Sequence, residues 1–213
     1  MFLRSLEIRD HLKATNDFKE NPIDTSLLPV LPFRISSDIR LLIVGQDPTV
    51  KNEKSRGLIE YTLNLDKKGS LRNYVSEIAD KLGLRFENIY ATNLFKYFYS
   101  HPPERTMHVL HNHLEPNPNF LKDEISAYPT ATILTFGLPV LRLLSRPDAE
   151  AHEHWDYDKK TKRSSGGFTG CIAAENKLER DFFPLPHQPS LRKEFYNKTL
   201  DRYLEFVRNT MTN

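Results

Sequence analysis

Short apolar runs that stop at a glycine or a polar residue alternate along this chain with longer stretches whose apolar residues recur every three or four positions. Ile39-Arg40-Leu41-Leu42-Ile43-Val44 halts at Gly45, as expected of a strand buried on both faces of a parallel sheet. Asn88-Ile89-Tyr90-Ala91-Thr92-Asn93-Leu94 reads as a second strand, and Ala131-Thr132-Ile133-Leu134-Thr135-Phe136, ending at Gly137, as a third. Between the first two, Leu71, Tyr74, Val75, Ile78, Ala79 and Leu82 share one helical face, with Ser70 as the expected N-cap and Gly83 as the stop. Residues 2–14 have a looser helical spacing, and the prolines at 22, 29 and 32 then force an extended connection. Further helices are expected near 118–128, from Leu138 to Leu144, and over 190–208, where Leu191, Phe195, Tyr196, Tyr203, Leu204 and Val207 recur. Residues 146–181 break the rhythm and predict an excursion ending in a hairpin or loop around Ser164-Ser165-Gly166-Gly167. Asp181-Phe182-Phe183-Pro184-Leu185-Pro186 then leads to His187. This alternation predicts a three-layer α/β sandwich with a central, mainly parallel four-stranded sheet flanked by helices, its site beyond the carboxyl ends of the strands.

Composition narrows this picture without deciding function. At 213 residues, with no repeat or long Gly/Ser linker, the chain is expected to form one domain, 1–213, with 1–38 as an N-terminal helix and extended lead-in. Hydrophobic residues make up 38% and charged residues 27%, a balance that argues against disorder, and no apolar run is long enough to span a bilayer. The first ten residues interleave charges with apolar residues, unlike a secretory signal. With the single cysteine, Cys171, this predicts a cytoplasmic protein with no membrane partner and no internal disulfide or multi-thiolate cluster. A formal net charge of +2 neither proposes nor forbids a nucleic-acid partner.

Polar residues arrive at three strand ends: Gly45-Gln46-Asp47-Pro48, Asn93, and His187-Gln188-Pro189-Ser190. A carboxylate, an amide and an imidazole meeting at one sheet edge can position water and polarise a base, although each alone has an ordinary structural role as cap, turn former or loop histidine. In order and context these residues resemble the uracil-DNA glycosylase superfamily, over roughly residues 39–207. Gly45-Gln46-Asp47-Pro48 is similar to that family's water-activating motif. Arg56-Gly57-Leu58 and Gly69-Ser70-Leu71-Arg72-Asn73 resemble the segments that follow it, Asn93 falls where its base-reading asparagine ends a strand, and Ile133-Leu134-Thr135-Phe136-Gly137 looks like its third strand. His187-Gln188-Pro189-Ser190-Leu191 is similar to its H-P-S-P-L loop with the middle permuted.

The resemblance implies a monofunctional DNA glycosylase that acts on DNA containing uracil or a related damaged base, as a monomer and with no cofactor. Cleavage of an N-glycosidic bond builds positive charge on the sugar and negative charge on the base, so it calls for an anion near one and donors near the other. By resemblance, Asp47 and His187 are the catalytic pair, Asp47 orienting water and His187 donating to the base. Gln46, Asn93, Thr49 and Tyr61 are the base-binding set, and Pro48, Ser190, Leu191 and Arg192 meet DNA. Leu191 is either the wedge that fills the gap left by a flipped base or the first apolar residue of the last helix.

Two departures stand out. Thr49-Val50 replaces the Tyr-His of the uracil-specific branch, which would widen the pocket, and Tyr61 is displaced from the position of that branch's stacking ring. The branches with an iron–sulfur cluster need four cysteines, so Cys171 excludes them. The histidines at 108, 111, 113, 152 and 154 are mixed with prolines and amides in loops, and no metal is assigned to them. Lys159, Lys160, Lys162 and Arg163 are expected to be a solvated loop more readily than a phosphate contact. Two other classes stay open: a non-catalytic nucleic-acid- or protein-binding module on the same fold, and an enzyme that uses Asp47 and His187 on a free nucleoside.

Overall fold

The computed structural model describes residues 1–103, 106–158, 160–161, 163–187 and 194–211. Its elements run α1 (Phe2–Asn16), β1 (Ile23–Asp24), β2 (Phe33–Arg34), β3 (Leu41–Gly45), α2 (Glu53–Arg56), α3 (Ser70–Lys81), β4 (Ile89–Asn93), β5 (Phe98–Tyr99), α4 (Met107–Asn112), α5 (Asn117–Ile125), β6 (Thr132–Phe136), α6 (Leu138–Leu144), α7 (Ala151–His154), β7 (Tyr157–Asp158), β8 (Arg163–Ser164), β9 (Phe182–Leu185) and α8 (Glu194–Met211). No helix among the described residues is long and apolar enough to cross a membrane.

The central sheet has the order β2-β4-β3-β6-β9. Strand β3 runs parallel to both β4 and β6, and β6 parallel to β9. Strand β2 closes the β4 edge antiparallel, with Phe33 opposite Ala91 and Arg34 opposite Tyr90. The sheet is therefore five-stranded, not four-stranded as the sequence suggests. The fifth strand has only two residues and starts directly after Pro32, so it carries no readable alternation, and the proline's missing N–H confines it to an edge.

Pleating sends alternate residues of each strand to opposite faces, and each face has its own helical cover. Leu42, Val44, Tyr90, Ile133 and Phe182 pack against Ile8 and Leu12 of α1, Val109 and Leu110 of α4, Phe120 and Leu121 of α5, and Leu141 and Leu144 of α6. Leu41, Ile43, Ile89, Ala91, Leu134 and Phe183 pack against Tyr74, Val75 and Ile78 of α3, and Leu200, Tyr203 and Leu204 of α8. Every residue of β3 and of β4 is buried, which is why β3 and the first half of β4 read as apolar without alternation.

Helix α3 buries the expected face, and Gly83 leaves it in the left-handed conformation at φ 72°. Its cap is Gly69 rather than Ser70: the Gly69 carbonyl accepts from the Asn73 N–H at 3.0 Å, which makes Ser70 the first helical residue. Within 146–181, β7 and β8 form a two-stranded antiparallel hairpin, with Tyr157 opposite Ser164.

Ile78 has no exposed surface, whereas Asp80 on the opposite face of α3 is exposed. Ile78→Ala is expected to lower unfolding free energy by about 2–5 kcal/mol, and Asp80→Ala to stay within about 0.5 kcal/mol of the parent, both read by urea denaturation.

Candidate active site at the carboxyl edge of the sheet

Strand β3 ends at Gly45 because the neighbouring strand needs the room. Gly45 is in register with Asn93, the last residue of β4, and a Cβ at position 45 would collide with Asn93 Oδ1 and come within 3.1 Å of a Leu63 methyl. The two strands stay joined beyond this point: the Leu94 N–H donates to the Gly45 carbonyl at 2.8 Å and the Phe95 N–H to the Gln46 carbonyl at 2.9 Å. The Asn93 side chain is thus held inside the protein, with the residue 1% exposed. Among the described residues neither its Oδ1 nor its Nδ2 has a hydrogen-bond partner. A buried amide left unpaired costs roughly 1–3 kcal/mol per group, and it presents one acceptor and one donor side by side.

Past Gly45 the chain turns on Asp47. Its Oδ1 accepts from the Thr49 N–H at 2.8 Å, a short loop closed by an aspartate on the backbone two residues ahead, and its Oδ2 accepts from Gln46 Nε2 at 2.6 Å. Thr49 Oγ1 accepts from the Tyr99 N–H at 2.8 Å, tying the turn to β5. The buried Arg56 straps the loop from outside, with Nε on the Val50 carbonyl at 2.9 Å and Nη1 on the Ser100 carbonyl at 2.7 Å. Asp47 itself is half-buried. Burial pushes its carboxyl above the usual carboxylate range, against the opposing pull of the Thr49 hydroxyl and N–H, the Gln46 amide and the Arg56 charge.

Aromatic rings form the floor under this turn. Tyr97 and Tyr99 stand 5.7 Å apart, both with phenols pushed up by burial, and Tyr99 stacks on His113 at 5.8 Å. The Tyr99 hydroxyl lies 3.2 Å from His113 Nδ1, and His113 Nε2 reaches the Asn16 carbonyl. That carbonyl fixes the proton on Nε2 and leaves Nδ1 to accept from the phenol. His108, five residues earlier, pairs instead with Glu20 at 2.6 Å. Among the described residues no group of three histidine, cysteine or acidic side chains gathers as a metal site.

The opposite side of the edge is held through main-chain carbonyls. Trp155 Nε1 donates to Pro184 O at 2.9 Å, the Gly137 N–H to Leu185 O at 2.9 Å, and the Tyr74 hydroxyl to Pro186 O at 3.2 Å. Three successive carbonyls are thereby fixed immediately before His187, which is exposed. Gly137, at φ 91°, lies against it: a Cβ there would sit 3.7 Å from the His187 Cβ. Asp47 follows β3 and His187 follows β9, with β6 between, a spacing of roughly 10 Å at about 4.8 Å per strand.

The structure thus brings Gln46, Asp47, Pro48, Thr49, Asn93 and His187 to one sheet edge. It gives Thr49 a bracing position, with its backbone on Asp47 and its hydroxyl on Tyr99. Tyr61 pairs with Leu31 and packs edge-on against Phe33 at 6.5 Å, and Leu63, two residues on, is the side chain that reaches Gly45. Sequence reasoning misses Leu63: it sits at φ 57° and is followed by Asn64 at φ 53°, a left-handed pair that only the asparagine announces in sequence. Tyr74 and Arg56 also act through their far ends, on carbonyls that sequence does not reveal. Ser190, Leu191 and Arg192 lie outside the described residues.

A doubly covered α/β sheet with its polar residues at the carboxyl edge defines a class of enzyme-like domains that place chemistry on strand ends. Within that class the chain belongs to the uracil DNA glycosylase superfamily, whose family model matches residues 32–209 and so spans β2 to most of α8. No curated protein matches the chain.

The raised carboxyl of Asp47 has a consequence for stability. A carboxyl that is harder to ionise folded than unfolded opposes folding when ionised. That penalty is full above the folded value and disappears as pH falls through the window down to the ordinary unfolded value. Asp47→Asn is therefore expected to raise Tm near pH 7, with the gain shrinking as the pH is lowered through that window, read by thermal denaturation across a pH series.

Proposed function

We propose that this protein is a monofunctional DNA glycosylase that draws uracil or a related damaged base out of the stack and hydrolyses its N-glycosidic bond, in base excision repair and without a cofactor. One observation carries the reading: a buried Asn93 amide with no hydrogen-bond partner among the described residues lies beside a turn that fixes the Asp47 carboxylate. An acceptor and a donor side by side match the edge of a uracil ring, and a base drawn into the site would satisfy both. Membership of the superfamily supports DNA as the partner.

In this mechanism Asp47 acts on the sugar side. Its carboxylate holds a water and offsets the positive charge that grows on the sugar as the bond to the base lengthens. The water oxygen forms a bond to the anomeric carbon, the electron pair of the broken C–N bond leaves with the base, and the water's proton passes to Asp47 and then to the departing base. His187, across the edge, donates a hydrogen bond to the base oxygen on which negative charge collects. Gln46 orients the carboxylate through its amide. Extrusion costs a few kcal/mol, which the Asn93 contacts offset.

Thr49-Val50 in place of the Tyr-His of the uracil-specific branch, and Tyr61 packed against Phe33, favour a second reading, a nucleic-acid-binding module without turnover. A single experiment separates the two. Oligonucleotides carrying uracil, hypoxanthine, xanthine or an oxidised pyrimidine are incubated with purified protein, and free base is measured under single turnover. Base release is expected from at least one substrate, with Asp47→Asn and His187→Ala each slowing it by about 10²-fold or more. Salt-sensitive binding with no release would favour the binding module, and full activity in both variants would refute the assigned roles.

A further inference from the structure

Behind Asn93 the protein buries an ion pair that the proposed chemistry does not use. Lys96 is 1% exposed, and the Glu124 side chain that meets it is fully buried. The ammonium donates to Thr92 Oγ1 at 2.6 Å and to the Asn93 carbonyl at 2.7 Å, and Glu124 Oε2 lies 2.6 Å from it as the ion-pair partner. Glu124 Oε1 accepts in turn from the Tyr90 hydroxyl at 2.6 Å, and the Phe120 ring lies 5.2 Å from the ammonium. The network joins α5 to the end of β4.

A pair buried this deeply gains little stability over an apolar substitute, because removing both charges from water offsets their attraction. What the pair does fix is geometry. The peptide between Asn93 and Leu94 is held at both ends, its oxygen by Lys96 and its N–H by the Gly45 carbonyl. With that peptide fixed, and Gly45 packed against Oδ1, the Asn93 side chain keeps one direction even though its own amide has no partner among the described residues. An unpaired amide would otherwise rotate to find a local hydrogen bond.

We propose that Lys96, charge-balanced by Glu124, is a positioning residue that aims the Asn93 amide at the base, and so sets which base edge the site accepts. The inference rests on the proposed reading of Asn93 as the base-reading group.

The test uses the paired variant Lys96→Met/Glu124→Gln. Lys96→Met alone strands a buried carboxylate and threatens the fold, whereas the amide introduced by Glu124→Gln is neutral and still accepts from Tyr90. In base-release assays corrected for folded fraction, the paired variant is expected to raise KM and to relax discrimination between uracil and other bases, each by roughly 10- to 100-fold. The shape of the pH profile, set by Asp47, stays as in the parent. In an Asn93→Ala background the paired change is expected to add no further loss of discrimination. Unchanged KM and discrimination, or losses that simply add to those of Asn93→Ala, would overturn the proposal. So would a fall in Tm with normal discrimination in the folded fraction, which is the mark of a merely structural pair. An independent readout is the Asn93 side-chain NH2 signal in ¹⁵N-labelled protein, expected as one sharp pair in the parent and as shifted or averaged signals in the variant. If the parent releases no base, the proposed function fails, and this signal alone decides the positioning claim: unchanged resonances would overturn it.

Discussion

Gly45 and Asn93 face each other in register at the ends of two parallel strands, and the amide of Asn93 occupies the space that any side chain at position 45 would fill. The rest of the site is built outward from this close approach. The strands behind it are buried along their whole length and covered by helices on both faces, so the edge cannot relax to let the amide find another partner. The two Asn93 amide atoms, unpaired among the described residues, cost the fold on the order of 1–3 kcal/mol each, and the apolar clusters on either side of the sheet offset that cost.

The two flanks are held by different means. On the β3 side a carboxylate folds its own loop: Asp47 collects donors from Gln46 and Thr49, and Thr49 and Arg56 tie the loop to the β5 region. On the β9 side the backbone is held, by a tryptophan, a glycine N–H and a tyrosine on successive carbonyls. A side chain fixed by hydrogen bonds and one that follows a fixed backbone are therefore placed on either side of β6. Such preorganisation is what charge development in a transition state rewards.

Much of this is legible in the sequence, for reasons that differ by element. Strands β3, β4 and β6 are five-residue segments dominated by apolar and β-branched residues, β3 ending at Gly45 and β6 stopped by Gly137, and α3 has an apolar face, so their signals are strong. Strand β2 and the β1–β5 pair are not legible, because two-residue strands show no period and are defined only by their partners. The residues of the site are readable as types at strand ends, but their tasks are not. Thr49 reads as a pocket wall, and the sequence does not show that its hydroxyl also braces the turn on an N–H fifty residues away. Tyr61 reads as a ring for the base, yet a left-handed turn at Leu63 and Asn64 sends the leucine to Gly45. Nothing in the sequence around Lys96 announces its burial, and only the packing of α5 against β4 reveals its pairing with Glu124.

The central claim is that the Asn93 amide, packed against Gly45 and without a hydrogen-bond partner among the described residues, is the group proposed to hold a base. Equilibrium binding of free uracil and free hypoxanthine, by calorimetry or ligand-observed NMR, tests this without requiring turnover. It compares the parent protein with Asn93→Ala and Gly45→Ala after thermal denaturation has confirmed that each is folded. The account predicts measurable binding of one base by the parent and its loss in both variants, because one removes the amide and the other displaces it. Binding by folded Asn93→Ala equal to that of the parent would contradict it.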